Sequence, residues 1–436
     1  MREGALIERA RATAAPHRAL LANAASMVGT TGVNSLLGVA FWFVAAHHFS
    51  EAAVGVGGAA VSAMMLLGFT GTIGLGTLLM GELPRRAEGR RALLSAALVA
   101  AGIAGVILGL AFALVAPLTS ANLEPLSSTG LAAASFAAGT SLTSLGLVLD
   151  QSLIGLLRGG LQLSRNTIFA AVKLAALIAI AALVADPSAP WIYAAWGLGL
   201  AASLVVLIRV YRSGGNERVG PDFASLRRMR RSAVSHASVN LALETADLAM
   251  PIVVVMLLSA AENASFYIAW LIVNFLIMIP FSLSSVAYAL GSGDETPTED
   301  RFRFTFAVSL ALAVLADLVL IPFAGPVLRI FGESYDSATT TLRILALGVF
   351  PLTIKTHYVA IHRVRRTLRR AMPIAWAGTA LELGGGALGA ALGGLSGVAW
   401  GWLAGLLIEA AVMGGDVTRA LALPRRAAAV GSGAGR

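Results

Sequence analysis

The sequence predicts an all-helical membrane protein with about twelve transmembrane helices in two six-helix lobes. Of its 436 residues, 57% are hydrophobic and 13% are charged, and the mean hydropathy is +0.80. Soluble domains average about 25% charged residues. Apolar stretches of about 20 residues, the length that crosses a bilayer, follow one another along the chain. Arginine is concentrated in every second loop, as the positive-inside rule predicts for a multi-pass protein.

Six spans are predicted in the first half of the chain. Loop 81–91 carries four arginines and is expected on the cytoplasmic side. Loops 117–130 and 186–190 contain neither lysine nor arginine and are expected outside. The predicted spans are residues 22–46, 52–80, 92–117, 131–157, 166–185 and 190–210.

Six further spans are predicted in the second half. A loop with seven arginines, from Arg209 to Arg231, separates the two halves. Five more arginines between residues 363 and 370 mark another cytoplasmic loop. The predicted spans are residues 233–259, 264–290, 304–325, 338–360, 371–391 and 395–418.

These assignments divide the chain into five parts and orient it in the membrane. The parts are a cytoplasmic N-terminal segment at 1–21, an N-lobe at 22–210, a basic cytoplasmic linker at 211–232, a C-lobe at 233–418 and a cytoplasmic tail at 419–436. Of the 32 lysines and arginines, 28 fall on the cytoplasmic side and only Arg329 falls in an external loop. We therefore expect a bacterial cytoplasmic (inner) membrane protein with both termini in the cytoplasm.

The composition and the loop lengths exclude several classes of function. The chain has no cysteine, so disulfides and thiolate metal sites are excluded. The net charge is +9, and the arginines that produce it lie in loops next to apolar spans, which indicates membrane topology and not nucleic-acid binding. The external loops, about 5–14 residues long, are too short to carry the catalytic groups of a membrane enzyme. We expect a transporter with no enzymatic activity, catalytic residue, bound metal or cofactor.

A few basic residues lie inside the predicted spans. An ionised side chain near the bilayer centre costs at least about 2.5–3.5 kcal/mol, so it usually faces a cavity and has a function. Lys173, Arg343 and Lys355, with Asp150 nearby, are interpreted as a cationic substrate cavity, because lysine and arginine recognise phosphate. The alternative is that each cation pairs with an acid, for example Lys173 with Asp150, and only stabilises the bundle.

Acidic residues also lie inside the spans. Glu244 and Asp247 are three residues apart and so share a helix face. With Glu382 they are interpreted as a coupling site for sodium or protons, since carboxylate oxygens suit hard cations. The alternative is a set of polar side chains lining water. Asp317 and Glu409 also fall within spans and receive no role.

Residues 40–85 carry a resemblance to a known family. They combine an aromatic-rich helix end, a short turn to Val54-Gly55, and a long helix that ends at Gly74-Leu75-Gly76 before a basic loop. This segment resembles the Wzx-type polysaccharide flippases of the multidrug/oligosaccharidyl-lipid/polysaccharide (MOP) exporter superfamily, which also contains the MATE exporters and the lipid II flippase. The twelve-helix plan with parallel halves resembles that superfamily over the whole chain.

The resemblance implies a substrate and a mechanism. The protein would flip a polyprenyl-diphosphate-linked oligosaccharide, an anionic precursor of a surface polysaccharide, from the inner to the outer leaflet by alternating access. Its partners would be membrane lipids and other polysaccharide-assembly proteins. In the lipid II flippases a sodium site lies between helices 7, 11 and 12, and Glu244 or Asp247 with Glu382 falls on the matching helices.

A small-molecule or multidrug exporter is the alternative. The loop GELPRRAEGRR at 81–91 is similar to a loop of major facilitator transporters, but that motif requires an acid where this chain has Arg85. Proton-coupled MATE exporters carry an acid in helix 1, where this chain has only Asn34 as a strongly polar residue.

Overall fold

The computed structural model describes most of the chain, and all of the regular structure in the described part is helical. It covers residues 32, 34–86, 88–212, 220–291, 298–365 and 367–422, with side chains described for all of these except 230–237, 279, 281, 285–291 and 298–301. The predicted N-terminal segment 1–21 and residues 423–436 of the predicted tail lie outside these ranges.

The N-lobe spans are built from eight helices. They are α1 (34–48), α2 (Glu51–Gly71), α3 (Leu75–Glu82), α4 (Arg90–Thr119), α5 (Gly130–Gly155), α6 (Gly159–Leu183), α7 (Ala189–Ser203) and α8 (Val206–Arg212). α2 and α3 are two pieces of one predicted span. The break lies at Ile73 and Gly74, whose φ angles are positive. α7 and α8 likewise divide the sixth span.

The C-lobe spans are built from six helices. They are α9 (Phe223–Leu257), α10 (Ala260–Gly291), α11 (Thr298–Arg329), α12 (Thr339–Ala346), α13 (Val349–Val364) and α14 (Leu368–Ala422). The helical residues 333–346, which include α12, and α13 meet at a bend of 44° and are together long and apolar enough for one membrane span. α9 begins at Phe223 and not at 233, so the last part of the predicted linker is helical. The Asp222 side chain caps this helix by accepting a hydrogen bond from the Ser225 backbone N–H at 2.9 Å.

α14 is a helical hairpin and not a single rod. Gly393 and Gly394 have non-helical backbone angles, and φ of Gly394 is +57°, which favours glycine. The chain therefore turns back here, as predicted from the separate spans at 371–391 and 395–418. The two arms touch along glycines, because a Cβ on Gly389 would overlap the carbonyl oxygen of Gly397. Such small residues allow membrane helices to approach closely.

The number of helices agrees with the predicted fold class. Among the described residues, nine helices are long and apolar enough to cross a membrane, and the bent α12–α13 pair makes a tenth. That number counts the two arms of α14 as one helix, and it does not include α1, whose described part is 34–48. The all-helical, multi-pass architecture is therefore confirmed.

The two lobes are joined at the end of the bundle predicted to be external. The Asn263 side chain on α10 donates a hydrogen bond to the backbone oxygen of Gly55 on α2, at 2.7 Å. Asn122, in the turn between α4 and α5, donates to the backbone oxygens of Val255 and Leu258 at 2.9 and 3.0 Å. These contacts close the lobes against each other at this end.

The hairpin contact yields a stability prediction. Gly389→Ala should lower the midpoint of thermal unfolding in detergent, because the new methyl group forces the two arms apart, at a cost of about 1–3 kcal/mol. Gly384→Ala on the same arm is the matched control, since no atom lies within 4 Å of a Cβ placed there. Equal midpoints for the two variants would contradict the close packing of the arms.

Candidate functional site

The centre of the C-lobe contains a lysine enclosed by two carboxylates. Lys355 Nζ on α13 lies 2.5 Å from Glu382 Oε1 and 3.0 Å from Glu409 Oε2. Glu382 is on the first arm of α14 and Glu409 is on the second. All three side chains are at most 4% exposed. We call these three residues the C-lobe triad. The triad links α13 to both arms of α14 by charge.

Two tryptophans extend the triad towards α9. Trp402 Nε1 donates a hydrogen bond to Glu382 Oε2 at 3.1 Å. Its ring packs edge-on against Trp270, with the ring centroids 4.9 Å apart. Trp270 Nε1 in turn donates to the backbone oxygen of Asp247 at 3.2 Å. Contacts through Trp402 and Trp270 therefore link the triad to α9.

The two acids predicted on α9 adjoin the triad. Glu244 and Asp247 are half-buried, and each interacts electrostatically with the other. Asp247 also interacts with Glu382 and Lys355. The structure thus brings together Glu244, Asp247 and Glu382, the three residues predicted for coupling, and adds Lys355 and Glu409 to them.

Lys355 is not part of a cationic cavity with the other predicted cations. Its ammonium is paired with acids, so the interpretation of Lys355, Lys173 and Arg343 as one substrate cavity is corrected. Arg343 on α12 is exposed, and its Nε donates to the backbone oxygen of Ile321 at 3.0 Å. The three cations share no contact residue in the described structure.

Lys173 lies in the N-lobe within a cage of aromatic rings. Its side chain is buried, and its Nζ lies 3.6 Å from the ring centroid of Trp196, 4.5 Å from that of Phe169 and 5.2 Å from that of Phe41. Aromatic faces attract a cation by about 0.5–2 kcal/mol each, which offsets only part of the cost of burial. No carboxylate of the described residues pairs with Lys173, so its charge is uncompensated.

Asp150 is neutralised by Arg165 and not by Lys173. Arg165 donates two hydrogen bonds to Asp150, one of them from Nε to Oδ1 at 2.7 Å. Asn166 Nδ2 also donates to Asp150 Oδ1, at 3.2 Å, and Asn34 on α1 donates to Asn166 at 3.0 Å. The predicted alternative pairing of Lys173 with Asp150 is therefore absent, and Asp150 belongs to a polar network at the inner end of α6.

Several residues of these clusters were missed or misplaced by the sequence analysis. Arg165 was assigned to a cytoplasmic loop, but α6 begins at Gly159 and places it inside the helix, where it is 4% exposed. A signal in the sequence could have placed Arg165 in the helix: it directly precedes Asn166 and falls on the face of α6 that also carries Lys173. Glu409 received no role, although its place inside a span marked it. Nothing in the sequence identified Trp196 as part of a lysine cage.

Comparison with known proteins agrees with this architecture. The sequence model of the MatE family matches residues 237–385. Comparison with curated protein sequences gives no significant match. A structure described as the inward-facing conformation of a multidrug resistance MATE family transporter of the MOP superfamily is similar, with a TM-score of 0.66 and 15% identity, over 89% of this chain and 95% of that one.

Two further solved structures share the fold. A MOP superfamily transporter from Pyrococcus furiosus, whose binding pocket is described as having reversed polarity that suggests a different function, has a TM-score of 0.58 and 15% identity over 93% of this chain and 96% of that one. An outward-facing multidrug resistance MATE transporter gives 0.56 and 16% over 93% and 96%. At these identities the likeness shows the fold.

Together these matches describe the fold. The chain has the all-helical, multi-pass architecture of the solved transporters it resembles. The match to the MatE family model is confined to residues 237–385, within the C-lobe.

The ion pair in the N-lobe yields a second prediction. Asp150→Ala should lower the free energy of unfolding by about 3–5 kcal/mol, because it leaves Arg165 buried without its carboxylate. Asp186→Ala, at an exposed position in the turn between α6 and α7, is the control and should be neutral. The measurement is chemical or thermal unfolding of purified protein. If the free energy of unfolding of Asp150→Ala equals that of the wild type, Asp150 does not stabilise the fold.

Proposed function

We propose that this protein is a membrane transporter that flips a polyprenyl-diphosphate-linked oligosaccharide from the inner to the outer leaflet by alternating access. The observation that carries the proposal is the uncompensated charge of Lys173. The Lys173 ammonium has three N–H donors and lies beside three aromatic rings, with no carboxylate of the described residues paired to it, so binding of an anion there is favourable. A diphosphate supplies that anion and several acceptor oxygens.

The cage contains a second donor that suits the same ligand. Trp196 Nε1 is buried and has no hydrogen-bond partner, although Trp196 is only half-buried as a residue. A phosphate oxygen near Lys173 Nζ is able to accept from this indole as well. Two donors without acceptors therefore lie in the same part of the N-lobe. The lipid tail of such a substrate remains in the bilayer while the headgroup crosses.

The balance of charge in the N-lobe supports an anion over a cation. Asp150, the acid near the inner end of α5, is already bound by Arg165 and Asn166. It therefore has little capacity to attract a positively charged drug. Placement in the inner membrane with both termini cytoplasmic, as we propose, lets the membrane potential assist export of an anion by roughly 2.3 kcal/mol per charge per 100 mV.

Coupling to a cation is proposed for the C-lobe. Glu244 and Asp247 lie half-buried on one face of α9, beside the triad. Asp247 Oδ1 is buried without a hydrogen-bond partner, which marks a carboxylate that is able to take up a cation. Because the tryptophan pair connects this face to α14, cation binding there is coupled to the packing of the hairpin.

Export of small cationic molecules is the second candidate. It is favoured by the acidic residues of the C-lobe and by similarity to multidrug resistance MATE structures. The two candidates differ in the sign of the substrate charge. A cationic dye would bind beside Glu244 and Asp247, whereas a diphosphate would bind beside Lys173.

Binding of polyprenyl diphosphate provides the direct test. Native mass spectrometry of the purified protein should show adducts with this lipid, and Lys173→Ala should weaken binding at least tenfold, about 1.4 kcal/mol. Lys173→Arg should retain most of the affinity because it keeps the charge. Arg343→Ala, at an exposed site, is the control. If Lys173→Ala binds like the wild type, the headgroup site lies elsewhere.

Depletion of the protein in cells tests the substrate class. Lipid-linked oligosaccharide should accumulate on the inner leaflet, and the matching surface polymer should decrease. Mass spectrometry of lipid extracts identifies the glycan, and access of an external enzyme to the trapped lipid reports its leaflet. An unchanged lipid-linked pool with normal polymer would favour the small-molecule exporter.

A further inference from the structure

We infer that the C-lobe triad holds one exchangeable proton shared between Glu382 and Glu409, with Lys355 occupying the position that a metal cation would otherwise take. The C-lobe would then respond to pH at this site and not to sodium. The inference deepens the proposed transport function, but its test uses no transported substrate, so the two can fail separately.

The charges of the triad do not balance when both glutamates are ionised. Two ionised carboxylates and one ammonium leave a net charge of −1 in a group whose side chains are at most 4% exposed. An isolated charge in such surroundings is costly and is usually removed by protonation or by pairing. One added proton makes the triad neutral, whereas one added sodium ion would need a ligand position of its own.

The two carboxylates of the triad also lack a hydrogen-bond donor between them. Glu409 Oε1 is buried with no hydrogen-bond partner, and Oε2 has only the ionic contact with Lys355. Glu382 and Glu409 lie next to each other, because one oxygen of each contacts the same Lys355 Nζ, at 2.5 and 3.0 Å. Ionised carboxylates only accept, so this pair lacks a donor until one of them is protonated. Two such neighbouring carboxylates characteristically share a proton.

Lys355 lies where a metal cation would have to bind between the two glutamates. Its Nζ contacts one oxygen from each carboxylate, and the second oxygen of Glu382 is taken by Trp402. A sodium ion that bridges the two glutamates would have to displace this ammonium. The Lys355 ammonium therefore fills the cation position of the triad permanently, because it is covalently attached to α13.

The groups that surround the triad do not supply the missing donor. On α9, Asp247 and Glu244 are acids and only add negative charge. On α10, Trp270 is engaged with the Asp247 backbone. On α13, His357 contacts the Thr353 carbonyl and the Phe306 ring on α11. Arg343 on α12 is exposed and bonded to Ile321. On α10, Asn274 interacts with the Asp247 side chain. None of these groups hydrogen-bonds Glu409 in the described structure, so a proton on one of the two carboxylates supplies the missing donor.

Uptake of the proton has a mechanical consequence. With Glu409 ionised, Lys355 holds both arms of α14 against α13. Once Glu409 is neutral, its attraction to Lys355 falls and Glu382 becomes the main partner of the lysine. The second arm of α14 is then held less tightly, while the first arm stays in place.

The test is an infrared difference titration of the full-length protein in lipid nanodiscs. Acidification should produce the C=O band of a protonated, buried carboxylic acid. Glu409→Gln, which keeps the shape of the side chain, should remove that band, whereas Asp416→Asn on the same arm, outside the triad, should leave it. A band of equal intensity in wild type and Glu409→Gln would overturn the inference.

Sodium provides the second part of the test. Adding sodium chloride in place of choline chloride should leave the band and its titration midpoint unchanged in the wild type. A sodium-induced loss of the band that is absent in Glu409→Gln would overturn the inference. Lys355→Ala should make the band sensitive to sodium, because the position of the ammonium is vacated. Should that variant fail to fold, the comparison of wild type with Glu409→Gln still decides.

Discussion

The structure depends on how two buried ammonium groups are satisfied in a bilayer, where no water is available to solvate them. Lys355 is paired with Glu382 and Glu409 and holds three helical segments together. Lys173 lies beside three aromatic rings, and no carboxylate of the described residues pairs with it. Because an unpaired buried charge is costly, the first lysine is already satisfied within the protein, and we propose that the second binds an anionic ligand. In this proposal the same residue type has a structural role in one lobe and a binding role in the other.

The two lobes therefore differ in their buried charges. In the proposed mechanism the N-lobe binds the anionic substrate, since its own acid, Asp150, is already paired with Arg165. The C-lobe gathers Glu244, Asp247, Glu382 and Glu409 near one lysine and is suited to a cation or a proton. Hydrogen bonds from Asn122 and Asn263 hold the lobes together at the end predicted to be external, as expected of one state in an alternating-access cycle.

Much of the fold could be predicted from the sequence because membrane solvation is a local constraint. Each span must be apolar over about 20 residues, and arginines must remain on one side, so hydropathy and charge locate most helices. Helix ends were less predictable. α6 starts before Arg165 and α9 starts before the predicted span, since both helices continue beyond the apolar segment in polar sequence.

The pairing of charges could not be predicted in the same way. Whether Lys173 meets Asp150, or Lys355 meets Glu382, depends on helix rotation and on contacts between distant segments, which hydropathy does not report. The turn at Gly393-Gly394 is what brings Glu409 back beside Glu382. Proximity of Glu244 and Asp247 followed from helical periodicity alone, whereas their proximity to the triad required the tertiary structure.

A structure of the protein bound to a short-chain polyprenyl diphosphate oligosaccharide, determined by electron cryomicroscopy, tests the central claim most directly. The account predicts phosphate density beside Lys173 and Trp196 in the N-lobe, with the C-lobe triad free of ligand. Headgroup density beside Glu244 and Asp247, with the aromatic cage around Lys173 unchanged, would contradict it.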